Sequence, residues 1–291
     1  MGQLKFDKSM KQIIKAIYSS IPFKKELYSI LKIFWIPQEP IFRHLHFTEP
    51  YTVKIDKNRK FKIHNGYKIA NQIFWKGLTG KWEKESIKLW LQLCEFSDCI
   101  FDIGANTGVY ALVAKSVNPN AEVYAFEPHP LFFNFLQKNI ELNGYKINSY
   151  KNAISNFDGN ISIDDFTGQS PGISVEAISL DTFIERNKLG RIDLLKIDVE
   201  GHEPLVMEGF VKYLAQFKPT FLIEILNNDV AEVIYNAVNK YDYMYFNIDE
   251  IKGIRQTDRI EKSDSFNYLI CSKEIAEKLG ILKDNQANKK I

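Results

Sequence analysis

From residue 99 onward, apolar runs of strand length alternate with stretches of helical character, and that alternation constrains the fold more than any other feature. Cys99–Ile103 is a continuous apolar strand, followed by a glycine-containing loop and a helical stretch over 109–117. Residues 121–126 read as a second strand, and a helix across 130–142 stops at Asn143-Gly144. A third strand is expected near 147–154, with a hairpin at Asp158-Gly159 leading to 161–163. Residues 178–180 read as a short added strand, with Asp181 capping the helix after it. Further strands fall at 192–197, 220–226, 241–248 and 266–271. Apolar strands separated by helices predict a doubly wound, mostly parallel α/β sheet covered on both faces.

Upstream the pattern differs. Ile13, Ile14, Ile17 and Tyr18 recur at helical spacing, and a second helical run from Leu27 to Trp35 is closed by Pro37 and Pro40. Residues 41–80 carry β-type alternation, as in Tyr51–Ile55 and Phe61–Ile63, and a helix over 83–93 leads into the main unit. The expected division is an N-terminal helical and β extension over 1–80, an α/β domain over 81–282 and a polar tail over 283–291. Residues 1–70 hold 14 Lys and Arg against 5 Asp and Glu, whereas the whole chain has a net charge of +2. A basic extension on an acidic body suits an anionic partner, and it suits a solvated face equally well.

The remaining bounds are ordinary. Hydrophobic residues make up 45% and charged residues 25%, the balance of a globular protein. No apolar run reaches the roughly 18 residues of a membrane-spanning helix, and the N-terminus lacks a signal-peptide pattern. Three cysteines, Cys94, Cys99 and Cys271, stand outside any metal-ligand spacing. They point to a reduced, cytoplasmic protein and give no reason to expect a metal, while the basic, amphipathic residues 9–35 allow a position peripheral to the inner membrane surface.

The chemistry concentrates in the loop after the first main strand, Phe101-Asp-Ile-Gly-Ala-Asn-Thr-Gly108. In a doubly wound sheet, ligands bind beyond the carboxyl ends of the strands, and glycines there let backbone approach a ligand. Glu127 ends the second strand, where a carboxylate accepts both hydroxyl hydrogens of a ribose. The ligand is therefore a dinucleotide or another adenosyl compound. The dinucleotide fingerprint needs a middle glycine where this chain has Asn106, and Asp102 would repel a pyrophosphate while attracting an ammonium. Both details favour an amino-acid-bearing adenosyl ligand, S-adenosylmethionine.

The segments FDIGANTG (101–108), AFEPHP (125–130), NAIS (152–155), DLLKIDVEGHEPLVMEG (193–209) and PTFLIEI (219–225) occur in this order. In order and spacing they resemble the FkbM-type methyltransferases, over about residues 61–272. The resemblance implies the class I methyltransferase fold, Rossmann-like and seven-stranded, with S-adenosylmethionine as cofactor and S-adenosylhomocysteine as product. It implies that Asp102, Gly104, Ala105, Asn106 and Gly108 frame the methionine part of the cofactor. Glu127 would hold the ribose, Pro128 would also contact the cofactor, Asn152 and Ala153 would lie beside the adenine, and Asp198 would close the site beside the donor methyl. Members methylate oxygen in polyketides, sugars and glycans, so an O-methyltransferase acting on a sugar, glycan or other small natural product is implied.

The segment Asp198-Val-Glu-Gly-His-Glu203 follows a buried strand and emerges beside the cofactor. Methyl transfer requires alignment of an acceptor oxygen and removal of its proton. Among Asp198, Glu200, His202 and Glu203, only His202 has an ordinary pKa near neutrality. The expectation is His202 as base, with Glu200 orienting the acceptor, or else His202 or Glu203 merely capping the next helix. Asp198, Glu200, His202 and Glu224 could gather a divalent metal, yet their spacing gives no metal signature. Phe74, Trp75, Trp82, Tyr110, His129, Arg43, His44 and His46 suit a flat polar acceptor, or simple packing. Two other functions stay open: an RNA methyltransferase served by the basic extension, and a silent adenosyl-binding module. Absence of the (Asn/Asp)-Pro-Pro-aromatic tetrapeptide, typical of amino-group methylation of bases, argues against an adenine-N6 enzyme, and nucleic acid is not the expected partner. Self-association through the N-terminal segment and contact with a membrane surface are the other partner expectations.

Overall fold

The computed structural model describes residues 21–80, 82–165 and 171–282. The helical pattern expected around Ile13 to Tyr18 and the tail over 283–291 lie outside the described residues. The extension comprises α1 (Lys24–Phe34), α2 (Glu39–Phe42), β1 (Pro50–Lys54), β2 (Lys60–His64) and α3 (Lys68–Lys76). The main unit follows as α4 (Lys84–Cys94), β3 (Cys99–Ile103), α5 (Val109–Val117), β4 (Glu122–Phe126), α6 (Pro130–Asn143) and β5 (Ile147–Tyr150). Next come β6 (Ala153–Ser155), β7 (Gly159–Ile163), β8 (Ile173–Ser179), α7 (Leu180–Asn187), β9 (Leu194–Ile197), α8 (Glu203–Glu208) and α9 (Leu214–Phe217). The chain continues through β10 (Thr220–Glu224), α10 (Asn228–Val238), β11 (Tyr243–Asp249), β12 (Gly253–Thr257), β13 (Asn267–Ser272) and α11 (Lys273–Leu279).

The central sheet runs β12-β11-β13-β10-β9-β3-β4-β5. Strands β10, β9, β3, β4 and β5 are parallel, and β13, β11 and β12 join antiparallel. This is the expected doubly wound class I sheet, extended from seven strands to eight by the edge strand β12. Successive strand residues face opposite sides, so each strand feeds two cores. In β3, Ile100 packs with α4, α5 and the extension, whereas Phe101 and Ile103 pack with α7, α8 and α10. Strand order reverses between β3 and β9, which places the switch point at the mouth of the glycine loop.

Two local expectations need correcting. The run 147–154 is not one strand: it breaks after Tyr150, and β6 joins a separate three-stranded sheet, β6-β8-β7. No hairpin pairs β6 with β7, because β8 lies between them, parallel to β6 and antiparallel to β7. Asp181 does not cap α7. Ser179 does, accepting from Thr182 N–H at 3.1 Å, while Asp181 lies in the first turn and accepts from Val211 and Lys212 N–H.

The extension is built into the main unit. Alternate residues of β1 and β2 are buried, and Phe61, Ile63 and Trp75 share one core with Leu112 and Val113 of α5. Asn139, fully buried on α6, accepts from His64 N–H of β2 at 2.9 Å and donates to Thr107 O of the glycine loop at 2.8 Å. Asn143 grips β2 at both Lys62 N–H and Lys62 O. A buried amide satisfied on both sides fixes its two neighbours relative to each other.

Candidate active site

One cavity of about 780 Å³ opens at the carboxyl ends of β3, β4 and β9, within the size range of small-ligand sites. Gly104, Ala105, Asn106, Glu127, Pro128, Asn152, Ala153, Asp198, Glu200 and His202 all line it. Asp102 and Gly108 do not reach its wall.

The loop's sequence explains its shape. Gly104 has φ 79°, and a Cβ there would come within 1.8 Å of Asp198 O, so only glycine lets β3 and β9 close together. Gly108, at φ 89°, starts α5, and a Cβ on it would press into Leu136. Asp102 is fully buried behind the loop, where its carboxylate accepts from Ala111 N–H at 2.9 Å and anchors the first turn of α5. Its other oxygen, Oδ1, has no hydrogen-bond partner among the described residues. Register places Asp102 directly across from Lys196 of β9. Lys196 is itself buried, pairs with Asp198 at 2.8 Å and lies 4.6 Å from the Tyr110 ring centre. Burial opposes its charge, yet Asp198, Asp102 and Glu83 outweigh that and hold the ammonium above its ordinary pKa.

Glu127 joins two loops at the end of β4. Its two oxygens accept from His129 N–H and Asn106 N–H, each at 2.8 Å, which ties the glycine loop to the end of β4. A carboxylate oxygen has two acceptor positions, so each retains one for a ligand hydroxyl. Burial pushes its pKa up to about 7. Asn152 donates to Glu176 at 3.5 Å beside Ala153 on the far wall.

At the end of β9, His202 lies half-buried with Nε2 3.1 Å from Ser155 Oγ, and burial lowers its pKa. No side-chain bond from His202 caps α8, which begins with Pro204 in its first turn. Glu203 is fully buried and does not line the cavity: it accepts from Val199 and Gly201 N–H and braces the loop. Glu200 lines the cavity with φ 55°, and burial followed by repulsion from Asp198 raises its pKa.

Glu83 and Lys196 were not singled out from the sequence as site residues, and Glu224 was weighed there only as a metal ligand. Glu83 accepts from Tyr110 O–H at 2.5 Å, and burial pushes its pKa to about 7. Glu224, at the end of β10, is raised to about 8 by burial and by Asp198, Glu200 and Glu203. Lys196 carried a readable signal, a lysine inside an otherwise apolar strand, which requires a buried partner. Trp82, Tyr110 and His129 border the cavity, but Phe74 and Trp75 do not: they pack with Phe42 and Phe47 in the extension's aromatic core. Arg43, His44 and His46 also lie outside the cavity wall. Among the described residues, no three His, Cys, Asp or Glu side chains gather in a metal-holding group.

The donor set fits S-adenosylmethionine. Glu127 offers its remaining acceptor positions to a diol, and the carboxylates of Asp198, Glu200, Glu224 and Glu83 line the same wall as Lys196, the one buried Lys or Arg among the described residues. That wall suits a ligand bearing both an ammonium and a sulfonium.

Comparison with known proteins agrees. The methyltransferase FkbM domain matches residues 102–251, just over half of the chain. The hexuronic acid methyltransferase AglP of Haloferax volcanii is 27% identical over 199 residues, which span 63% of this chain and 82% of that protein. Methyltransferase 1 of Beauveria bassiana is 27% identical over 143 residues, 38% of this chain and 57% of that protein. The crystal structure of methyltransferase FkbM from Methylobacillus flagellatus aligns with a TM-score of 0.42 at 16% identity, covering 60% of this chain and 43% of that one. The match thus spans less than two thirds of the fungal protein and of the crystallised relative. The chain belongs to the FkbM methyltransferase family, a family of class I S-adenosylmethionine-dependent enzymes.

Proposed function

We propose that the chain is an O-methyltransferase that acts on a hydroxyl of a sugar, a glycan or another small natural product. The observation that carries this reading is the meeting of His202, Glu200 and Asp198 with the glycine loop and Glu127 in one cavity. The similarity to a protein named as a hexuronic acid methyltransferase supports a saccharide acceptor.

Bound S-adenosylmethionine supplies an electrophilic methyl on a sulfonium. On this reading Gly104, Ala105 and Asn106 cradle its methionine portion and Glu127 accepts its ribose hydroxyls. Pro128, Asn152 and Ala153 wall the adenine, and Asp102 and Gly108 act from behind by holding the loop and the start of α5. His202, kept neutral near pH 7 by its lowered pKa, takes the acceptor proton on Nε2, the nitrogen now beside Ser155. Glu200 orients the acceptor, and Asp198, fixed by Lys196, closes the site.

The test is turnover with labelled S-adenosylmethionine against monosaccharides, glycosides, oligosaccharides and RNA. Label on a sugar hydroxyl is the expected product, and label on RNA alone overturns the assignment. With the best acceptor, His202→Ala should lose about 10²–10⁴ in turnover while S-adenosylhomocysteine affinity is kept. Unchanged turnover transfers the proton-accepting role to Glu200 or Asp198.

A further inference from the structure

We propose that the outward face of α1, with the residues just after it, docks on an anionic lipid surface. α1 has two apolar sides. Tyr28 turns inward, 5.6 Å from the Trp75 ring and 6.3 Å from that of Phe47, and Lys32 also folds inward to donate to Phe74 O. The other side holds Phe23, Leu27, Ile30 and Phe34 at spacings of four, three and four, which is one helical stripe, with Ile33 beside it. These side chains are exposed, Phe23 by 73%, Ile33 by 75% and Phe34 by 82%. Trp35, Ile36 and Ile41 continue the apolar surface past the helix end. A contiguous apolar patch of this kind marks a contact surface.

Charge selects the occupant. Among the described residues, 21–48 hold Lys24, Lys25, Lys32 and Arg43 against Glu26 and Glu39. Beside the patch, His46 is pushed toward its neutral form by burial and by the neighbouring charges of His44 and Lys24, and Arg43 Nε lies 3.2 Å from His44 Nε2. In a two-fold dimer the same patch faces itself, and this basic rim would meet its own copy. Phosphate headgroups would instead neutralise the rim while the stripe enters the acyl boundary, the composition of an interfacial helix. Among the described residues no helix is long and apolar enough to cross a membrane, so the segment lies on the surface rather than spanning it. The helix that seats Tyr28, α3, begins at Lys68 on the cavity wall, so a docked α1 holds the cavity close to the lipid.

The experiment is flotation of the full chain with phosphatidylcholine vesicles made with and without phosphatidylglycerol, alongside light scattering of the free protein. Binding should require phosphatidylglycerol, weaken with added salt, and fall by about a hundredfold or more when Ile33→Glu and Phe34→Glu are combined. Circular dichroism melting of the double variant should match the parent. If the pair does not fold, Lys24→Glu with Lys25→Glu gives the same reading through charge. No flotation with anionic vesicles, or flotation equal for the variants, overturns the proposal. So does a dimer that the double variant dissociates while vesicles bind neither form: the occupant is then a second copy.

Discussion

Lys196→Met isolates the charge that the site depends on. Methionine preserves much of the side-chain volume, so the loss is mainly electrostatic. The ammonium pairs with Asp198 at 2.8 Å and stands across the ladder from the wholly buried Asp102, whose Oδ1 has no other partner among the described residues. Removing one member of a buried pair and stranding the other costs about 3–5 kcal/mol. The pH dependence has a defined sign. Burial already raises Asp102 to about 6 and Glu83 to about 7 in the folded chain, and Lys196 holds both below where burial alone would put them. Without it their folded pKa values rise further. A group raised on folding contributes stability that is complete below its unfolded pKa and is lost as pH rises through its folded pKa. The variant should therefore be about 3–5 kcal/mol less stable than the parent at pH 8, and less than about half as much at pH 5. Urea unfolding at the two pH values measures both differences. An equal loss at pH 5 and pH 8 would mean that packing, not charge, is responsible, and a loss below about 1 kcal/mol at pH 8 would refute the buried pair altogether.

Glu127→Ala removes an acceptor of two backbone N–H groups and, on the proposed reading, of the ribose hydroxyls; titration calorimetry with S-adenosylhomocysteine should show affinity weaker by roughly 2 kcal/mol or more. Gly104→Ala, forced to φ 79° with its methyl against Asp198 O, should abolish S-adenosylhomocysteine binding and lower the melting temperature, and normal binding would show that the loop is not held as described. The parent protein without ligand should be more stable near pH 5 than near pH 8, because Asp102, Glu83, Glu127 and Glu224 are all raised, to between about 6 and about 8; calorimetric melts across that range check it.

The site was legible where function imposes itself on local sequence. The loop 101–108 must combine tight turns with close backbone approach, and Gly104 and Gly108 record that directly. Glu127 and Asp198 were readable because strand ends in a doubly wound sheet converge on one edge. What could not be read were contacts made between distant segments. Nothing local distinguishes Glu83 from other charged residues at a helix start, yet folding sets it against Tyr110, and nothing marks Ser155 as the neighbour of His202. Likewise β8 separates β6 from β7 because a pairing partner arriving later in the chain displaced the hairpin that turn chemistry suggested. Asp181 shows the same limit: its position fits a cap, but Ser179 holds that place and Asp181 is engaged by the backbone after α8.

The acids of the cavity explain why the wall is built as it is. Burying Glu127, Glu83 and Glu224 beside Asp198 and Glu200, with Asp102 just behind the wall and Lys196 as the one buried Lys or Arg among the described residues, penalises the charged forms of the acids. A neutral wall would fold more easily. Positive charge in the cavity offsets that cost, and on the proposed function the methyl donor brings an ammonium and a sulfonium together. After transfer the sulfonium is a neutral thioether, so part of that favourable interaction disappears with the reaction. On the proposed function, such a wall favours the charged donor over the spent product.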